Sequence, residues 1–174
     1  GYFVTPAFAD YDNDGDLDVI ITTFYDGCWS CDFPISQFIN NGNGTFTKIT
    51  TGPITSEITK TFGACWGDYD NDGLLDLFIA TGFNRNNLLY HNEGGGNFTK
   101  ITAGAIVNDG GESRGCSWVD YNKDGWIDLF VVNQNNQNDF LYRNNGNGTF
   151  TRIINVVITN DNSYGRYGAW GDYD

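Results

Sequence analysis

The feature that most constrains this chain is a nine-residue pattern, D-x-[DN]-x-D-G-x-x-D, that occurs three times and begins a fourth time at the end of the sequence. The copies start 58, 52 and 52 residues apart, at Asp10, Asp68, Asp120 and Asp172. A second anchor lies 22 residues before each following copy, at Phe46, Phe98 and Phe150. A fixed period of about 50 residues is typical of repeat proteins, so the fold must be built from copies of one unit.

Each unit contains four short runs rich in β-branched and aromatic residues. In the second unit they occupy 63–67, 75–81, 87–91 and 98–102, and glycine and asparagine turns separate them. No stretch shows the sustained period of an amphipathic helix. The pattern predicts an all-β chain of four-stranded antiparallel repeats that form β-propeller blades. We expect about three blades and the start of a fourth, at 1–56, 57–108, 109–160 and 161–174.

A blade cannot bury both of its faces alone, so three blades would leave one apolar face open at each end. The sequence also stops inside the fourth copy of the loop pattern. We therefore expect the chain to be a piece of a longer protein, to pair with another copy of itself, or to stack into an open array.

The acidic loops place side-chain oxygens at positions 1, 3, 5 and 9 and a glycine at position 6. Calcium is a hard cation that takes about six to eight oxygen ligands, and glycine permits the sharp turn that gathers them. A backbone carbonyl at position 7 would add a ligand. The predicted metal ligands are Asp10, Asp12, Asp14, Asp16 and Asp18; Asp68, Asp70, Asp72, Leu74 and Asp76; Asp120, Asn122, Asp124, Trp126 and Asp128; and, in the fourth loop, Asp172 and Asp174.

Other interpretations of these loops fit less well. An EF-hand needs a glutamate at position 12, but that position is Ile21, Ile79 or Val131, within an apolar run. No cysteine or histidine accompanies the acids, which disfavours zinc and copper, and magnesium prefers fewer protein ligands. Asp, Asn and Gly also make ordinary turns, but so many acids in one loop would repel one another without a cation.

The 22 acidic and nine basic residues give a formal net charge of −13, and 14 of the acids lie in the loops. The chain lacks the basic surface that nucleic-acid binding requires, and no apolar run reaches the length of a membrane span. A Ser-His-Asp or Cys-His site could be built only around His91, the single histidine. Because the clustered acids are committed to cations, we expect a protein that is not an enzyme.

The first unit is six residues longer than the others, and the extra residues lie between Asp18 and Phe46. We interpret this segment as an extended hairpin with a local disulfide between Cys28 and Cys31, which suits an exported protein. A redox motif is disfavoured because no βαβ pattern surrounds these cysteines. Cys65 and Cys116 lie on matching runs of adjacent units, where either a bridge or two buried free thiols would fit.

Two further sets of residues recur with the repeat. Each unit has an N-x-T sequon in the turn before its last run. The candidate glycosylation sites are therefore Asn43, Asn97 and Asn147. A tryptophan lies two residues before three of the loops, at Trp66, Trp118 and Trp170. We expect these tryptophans to pack between blades, and a sugar-stacking platform is the alternative.

The second unit resembles the VCBS/FG-GAP repeat family. The resemblance rests on WGDYDNDG at 66–73, LDLF at 75–78, Leu89-Tyr90 and Phe98, and it extends over essentially the whole chain. Such repeats form the seven-bladed propeller of the integrin α-subunit head and occur in many surface proteins. The resemblance implies one Ca²⁺ in each loop, at the hairpin between a blade's first two strands. Asn122 replaces an aspartate, so the third site should be the weakest.

These observations predict an extracellular or cell-surface calcium-binding module for adhesion or for recognition of a protein or carbohydrate ligand. Calcium would have a structural role in it. The alternative is a structural subunit of a glycosylated surface fibre or layer, built from stacked repeats that self-associate into a ring or filament. The sequence leaves the ligand and the total number of blades open.

Overall fold

The computed structural model describes residues 1–28, 31–160 and 164–171, which form an all-β fold. The strands are β1 (Tyr2–Ala9), β2 (Asp18–Tyr25), β3 (Phe33–Pro34), β4 (Ser36–Asn40), β5 (Phe46–Ile49), β6 (Ile58–Thr59), β7 (Thr61–Gly67), β8 (Asp76–Thr81), β9 (Leu88–Gly94), β10 (Asn97–Ile101), β11 (Ser113–Val119), β12 (Asp128–Asn133), β13 (Phe140–Asn144) and β14 (Phe150–Ile153). Short 3₁₀ helices occupy Ala105–Val107 and Val157–Thr159. Within the described residues, no helix has the length and apolar character needed to span a membrane.

Three antiparallel sheets have four strands each, in the orders β1-β2-β4-β5, β7-β8-β9-β10 and β11-β12-β13-β14. An acidic loop joins the first two strands of every one of them. The longer first unit contributes β3 to a small separate sheet, in which β3 pairs with β6 at the start of the second unit and Phe33 lies opposite Thr59. The prediction of an all-β chain of blade-like, four-stranded repeats is confirmed.

Strand β8 shows how neighbouring sheets are held together, because all six of its residues are buried. Leu77 and Ile79 pack in an apolar cluster shared with the first sheet, whereas Phe78 and Ala80 pack in one shared with the third. Side chains alternate between the faces of a strand, so a strand covered on both faces is a continuous apolar run in the sequence. Each buried Leu, Ile or Phe contributes roughly 1.5–3 kcal/mol. The core is therefore divided between the sheets and lies in the gaps between them.

The first strands of adjacent sheets approach each other closely. A Cβ on Gly63 would lie 2.7 Å from the Arg114 carbonyl oxygen, and a Cβ on Gly115 would lie 2.5 Å from the Arg166 carbonyl oxygen. A larger residue at either position would force the strands apart, so glycine is required at both. Residues 164–171 therefore run beside β11 in the way that β11 runs beside β7.

The tryptophans before the loops pack between sheets. Trp66 stacks on Tyr11 of the first loop with ring centroids 5.3 Å apart, and Trp118 stacks on Tyr69 of the second loop at 6.2 Å. Trp170 packs edge-on against Phe130 at 5.6 Å. The packing interpretation of these three residues is confirmed.

Large apolar side chains are exposed at both ends of the row of sheets. Phe8 on β1 is 57% exposed, and Tyr2 and Val4 on the same strand are also exposed. At the other end Val157 is 90% exposed. These faces resemble those that the sheets bury against each other, but no described residue covers them.

Candidate metal centres

The three described loops share one hydrogen-bonded scaffold. The position-1 aspartate accepts hydrogen bonds from the backbone N–H groups of positions 5 and 6, which in the first loop join Asp10 to Asp14 and Gly15 at 3.0 Å each. Equivalent bonds of 2.9–3.0 Å form at Asp68 and Asp120. The position-5 aspartate accepts the N–H of position 7 at 2.8–2.9 Å. The acids at positions 1 and 5 therefore stabilise the shape of the loop through hydrogen bonds, whether or not they also bind an ion.

Two left-handed residues curl each loop. Position 4 has a φ near +60° at Asn13, Asn71 and Lys123, and the position-6 glycines have φ between 87° and 94°. Asparagine tolerates this conformation and glycine adopts it freely, whereas a lysine there is uncommon. The local sequence D-N-D-G therefore encodes the turn that brings positions 1, 3 and 9 together.

The position-9 aspartates, Asp18, Asp76 and Asp128, are fully buried. In each, Oδ2 accepts the backbone N–H of position 2 at 3.1–3.3 Å. Their Oδ1 atoms accept a backbone N–H from the third strand of the same blade at 2.7–2.8 Å, donated by Asn40, Asn92 and Asn144. This aspartate therefore fixes the loop to its blade.

Carboxylates converge in the first two loops. Oxygens of Asp10, Asp12 and Asp18 lie within 4.8 Å of one another, as do those of Asp68, Asp70 and Asp76. The Oδ1 atoms of Asp12 and Asp70 are buried and have no hydrogen-bond partner among the described residues. Buried acceptors of this kind need a partner, and the all-oxygen donor set is the one that calcium prefers. The residues fit a Ca²⁺ ion, which would be held by positions 1, 3 and 9 and would neutralise their repulsion.

The pKa values of these acids report the same crowding. Burial raises the pKa of Asp12, Asp18 and Asp70, and the neighbouring carboxylates raise it further. Burial raises the pKa of Asp76 to about 7, although the backbone N–H groups of Asn92 and Tyr69 oppose the shift. The ionised forms are therefore disfavoured in the absence of a cation.

In the third loop, the position-3 side chain finds its hydrogen-bond partners within the loop. Asn122 Nδ2 donates to Asp124 Oδ2 at 2.8 Å, and Asn122 Oδ1 accepts the Asp124 N–H at 3.0 Å. Among the described residues, no group of three converging carboxylates forms in this loop. Burial still raises the pKa of Asp128. That the third site binds calcium most weakly stays a prediction, and these bonds supply a physical reason for it.

His91 corrects the expectation that no nitrogen ligand accompanies the acids. Its Nδ1 lies 3.2 Å from Asp76 Oδ1 and 3.4 Å from Asp70 Oδ2, and it forms a second potential metal-binding group with Asp70 and Asp72. The expectation was wrong because it considered only the loop itself, and His91 lies on β9. The same position is Ile39 in the first unit and Arg143 in the third.

The side chains at position 7 lie against the turn before the last strand. The Asp16 carboxylate occupies the place where a Cβ on Gly42 would fall, and Trp126 Cε2 lies 2.9 Å from a Cβ placed on Gly146. Leu74 similarly approaches Gly94 at 3.7 Å. Because these side chains pack against the turn, any bond from position 7 to a loop cation would come from its backbone carbonyl, and that ligand stays a prediction. Asp172 and Asp174 of the fourth loop lie outside the described residues.

Two asparagines at the site were missed from the sequence. Asn92 Nδ2 donates to the carbonyl oxygens of Tyr11 at 2.7 Å and Leu75 at 3.0 Å. Asn144 Nδ2 makes the equivalent bonds to Tyr69 at 2.7 Å and Ile127 at 3.1 Å. Tyr11 and Tyr69 are position 2 of the preceding loop, so each asparagine joins its own loop to the one before it. The signal in the sequence is the recurrence of Asn40, Asn92 and Asn144 every 52 residues.

The four cysteines form one disulfide and two thiols. Cys28 and Cys31 are joined, with Cα atoms 5.4 Å apart, and the two residues between them lie outside the described part of the chain. Cys65 and Cys116 are free. Burial raises the pKa of the Cys65 thiol, and the adjacent Cys116 adds to the shift. The sequence allowed either a bridge or two free thiols for Cys65 and Cys116, and in the structure they are free thiols.

The three sequon asparagines are exposed: Asn43 and Asn147 lie in the turns before β5 and β14, and Asn97 is the first residue of β10. Asn43 and Asn147 accept hydrogen bonds of 2.6 Å from the hydroxyl groups of Thr45 and Thr149. Asn97 donates to the Gly94 carbonyl oxygen at 3.0 Å. Their glycosylation stays a prediction.

The fold and the loops define a repeat protein of four-stranded blades, each with an acidic hairpin between its first two strands. The family model for the FG-GAP-like repeat matches three overlapping segments, residues 10–79, 68–131 and 120–174. The chain belongs to the FG-GAP-like repeat family, as the resemblance of the second unit predicted.

Among solved structures, the chain is similar to a lectin of Agrocybe aegerita described for its specific recognition of non-reducing terminal N-acetylglucosamine. The two superpose with a TM-score of 0.57 at 19% sequence identity, over 92% of this chain and 41% of the lectin chain. This chain therefore spans less than half of that protein's length, and the likeness concerns the fold. A comparison with curated protein sequences found no significant match.

Proposed function

We propose that this chain is a calcium-binding propeller module of an extracellular or cell-surface protein, and that it recognises a protein or carbohydrate ligand. The observation that carries the calcium assignment is the pair of buried, unpartnered Oδ1 atoms of Asp12 and Asp70, each facing two further carboxylates. Extracellular modules with such sites bind calcium at about 10⁻⁴–10⁻³ M, which extracellular calcium satisfies and cytosolic calcium does not.

Calcium would act as a structural ion. Asp18 and Asp76 are hydrogen-bonded both to their loops and to the third strands of their blades. A cation at these carboxylates would therefore hold the hairpin to the blade and would offset the burial and the charge repulsion that raise their pKa values.

The calcium proposal is tested by thermal unfolding in 1 mM CaCl₂ and in EGTA. We expect EGTA to lower the melting temperature, since an ion that binds only the folded state stabilises it. Asp12→Asn should abolish most of the calcium response of the first loop. Asp16→Asn is the matched control, because it removes a charge from the same loop but keeps the backbone carbonyl. Equal melting with and without calcium would sink the proposal.

The carbohydrate part of the proposal is supported by the fold that the chain shares with a lectin. Binding to immobilised glycans, with and without calcium, tests it directly. Binding to a protein ligand, with no binding to any glycan, would contradict the carbohydrate part and support recognition of a protein.

Self-association into a surface fibre or layer is a second candidate function. The exposed apolar residues of β1, including Phe8, and Val157 at the opposite end favour it, because two such faces could cover each other. Light scattering and negative-stain imaging distinguish the candidates, since filaments indicate the second and discrete particles the first.

A further inference from the structure

A second candidate site lies at the end of the blades opposite the acidic loops. Phe3 on β1 and Phe24 on β2 are cross-strand partners near the ends of their strands, whereas the first acidic loop joins the other ends. A pocket of about 230 Å³ opens here, and its walls include Phe3, Phe24, Phe62, Arg114, Arg166 and Tyr167. Pockets for drug-sized ligands have roughly 300–1,000 Å³, so this one has room for a smaller molecule.

Two arginines enter this pocket from equivalent positions. Phe62, Arg114 and Arg166 are separated by the repeat length of 52 residues, and they lie on three adjacent segments at the same distance from their loops. The Arg114 guanidinium lies over the Phe62 ring, 3.6 Å from its centroid. The stacking of the repeat therefore places two cations and an aromatic ring in one row.

The positive charge of this row is poorly compensated. The Arg114 side chain is only 13% exposed, its contact with Glu112 is long at 3.5 Å, and its buried Nε has no hydrogen-bond partner among the described residues. Burial lowers the pKa of the Arg114 guanidinium, Glu112 opposes this, and Arg166 lowers the pKa further. The ion pairs of the described residues include none with Arg166, although Asp26 also lines the pocket.

We propose that this pocket binds a carboxylate-bearing sugar ring, of the uronic acid class. The planar guanidinium of an arginine matches a carboxylate with two parallel hydrogen bonds, so Arg114 and Arg166 would hold the acid group. The aromatic walls suit the apolar face of a sugar ring. Asp26 and Gln134 also line the pocket: Asp26 would accept hydrogen bonds from the hydroxyl groups, and Gln134 would both accept from them and donate to them. The inference rests on the proposed ligand-recognition function and names the ligand class.

The test compares methyl β-D-glucuronide, methyl β-D-glucoside and acetate by isothermal titration calorimetry on the chain in 1 mM CaCl₂. The two glycosides differ only in the carboxylate, and acetate has the carboxylate without the ring. We expect the glucuronide to bind at least tenfold more tightly than either of the others. Equal binding of the glucoside, equal binding of acetate, or no binding of the glucuronide overturns the proposal.

Substitutions assign the binding to the pocket. Arg114→Gln and Arg166→Gln should each weaken glucuronide binding at least tenfold. Arg152→Gln is the matched control, because the Arg152 guanidinium also lies over a ring, 4.0 Å from the Phe140 centroid, and pairs with Asp109 outside this pocket. Equal losses in Arg166→Gln and Arg152→Gln contradict the assignment. Thermal melting of each variant in calcium checks the fold, and Arg166→Gln alone decides the question if Arg114→Gln does not fold.

The outcome is separable from that of the proposed function. Calcium-dependent stability together with binding of a neutral glycan or a protein would support the proposed function while the pocket assignment fails. A chain that binds glucuronide through Arg114 and Arg166, but melts identically in EGTA, would support the pocket and remove the calcium assignment.

Discussion

Replacing Asn92 with alanine should destabilise the chain through the joint between two blades. The Asn92 side chain is fully buried, donates to the carbonyl oxygens of Tyr11 and Leu75, and accepts the Gly94 N–H at 3.0 Å. The Tyr11 carbonyl would be left buried and unpaired, which costs about 1–3 kcal/mol, and the two partly buried bonds contribute about 0.5–1.5 kcal/mol each. We therefore expect the free energy of unfolding to fall by about 3 kcal/mol.

Asn40→Ala is the matched control. Asn40 occupies the same repeat position and makes the bonds within its own blade, to the Leu17 carbonyl oxygen at 3.2 Å and from the Gly42 N–H at 3.1 Å, both solvent-exposed. Among the described residues it makes no counterpart of the bond to Tyr11. We expect Asn40→Ala to lower the free energy of unfolding by about 1 kcal/mol.

Urea unfolding followed by tryptophan fluorescence, in saturating calcium, measures both changes. With an m value of about 2 kcal/mol/M, Asn92→Ala should lower the midpoint by about 1.5 M and Asn40→Ala by about 0.5 M. Asn144→Ala should behave like Asn92→Ala, since it loses the equivalent bond to Tyr69. Equal midpoints for Asn40→Ala and Asn92→Ala would refute the reasoning that the bond between blades carries the difference.

Three further predictions follow from the loops and the cysteines. Asn122→Asp should raise the calcium affinity of the third loop several-fold by adding a carboxylate, which stepwise calorimetric titration would detect; an unchanged affinity would contradict the charge argument. In EGTA, the stabilisation associated with Asp76 should be full below pH about 4 and lost as the pH rises to about 7, because the pKa is raised to about 7 in the folded chain from an unfolded value of about 4. Urea unfolding at pH 5 and pH 8 checks this against Asp76→Asn, which should lack that part of the pH dependence. Alkylation of the unfolded chain should label two cysteines before reduction and four after it, since Cys65 and Cys116 are free; four labels before reduction would exclude the disulfide.

The shape of the acidic loops could be predicted from the sequence because the interactions that form it are local. Asp10 is bonded to residues four and five positions along the chain, and Gly15 adopts its left-handed conformation within the same turn. The strands were predictable for a related reason, because β8 is covered on both faces and is a continuous apolar run. Spacing alone thus indicated the blades, the acidic loops whose carboxylates converge and the packing of Trp66.

The contacts between blades depended on the tertiary structure. Asn92 reaches Tyr11 across 81 residues, and His91 lies beside Asp70 because β9 is paired with β8. Arg114 and Arg166 share a pocket only because β11 and the segment after residue 164 lie side by side at Gly115. A periodic sequence states which residues are equivalent in each unit. The stacking of the units decides which equivalent residues meet, because it fixes the register between strands that lie some 52 residues apart in the chain.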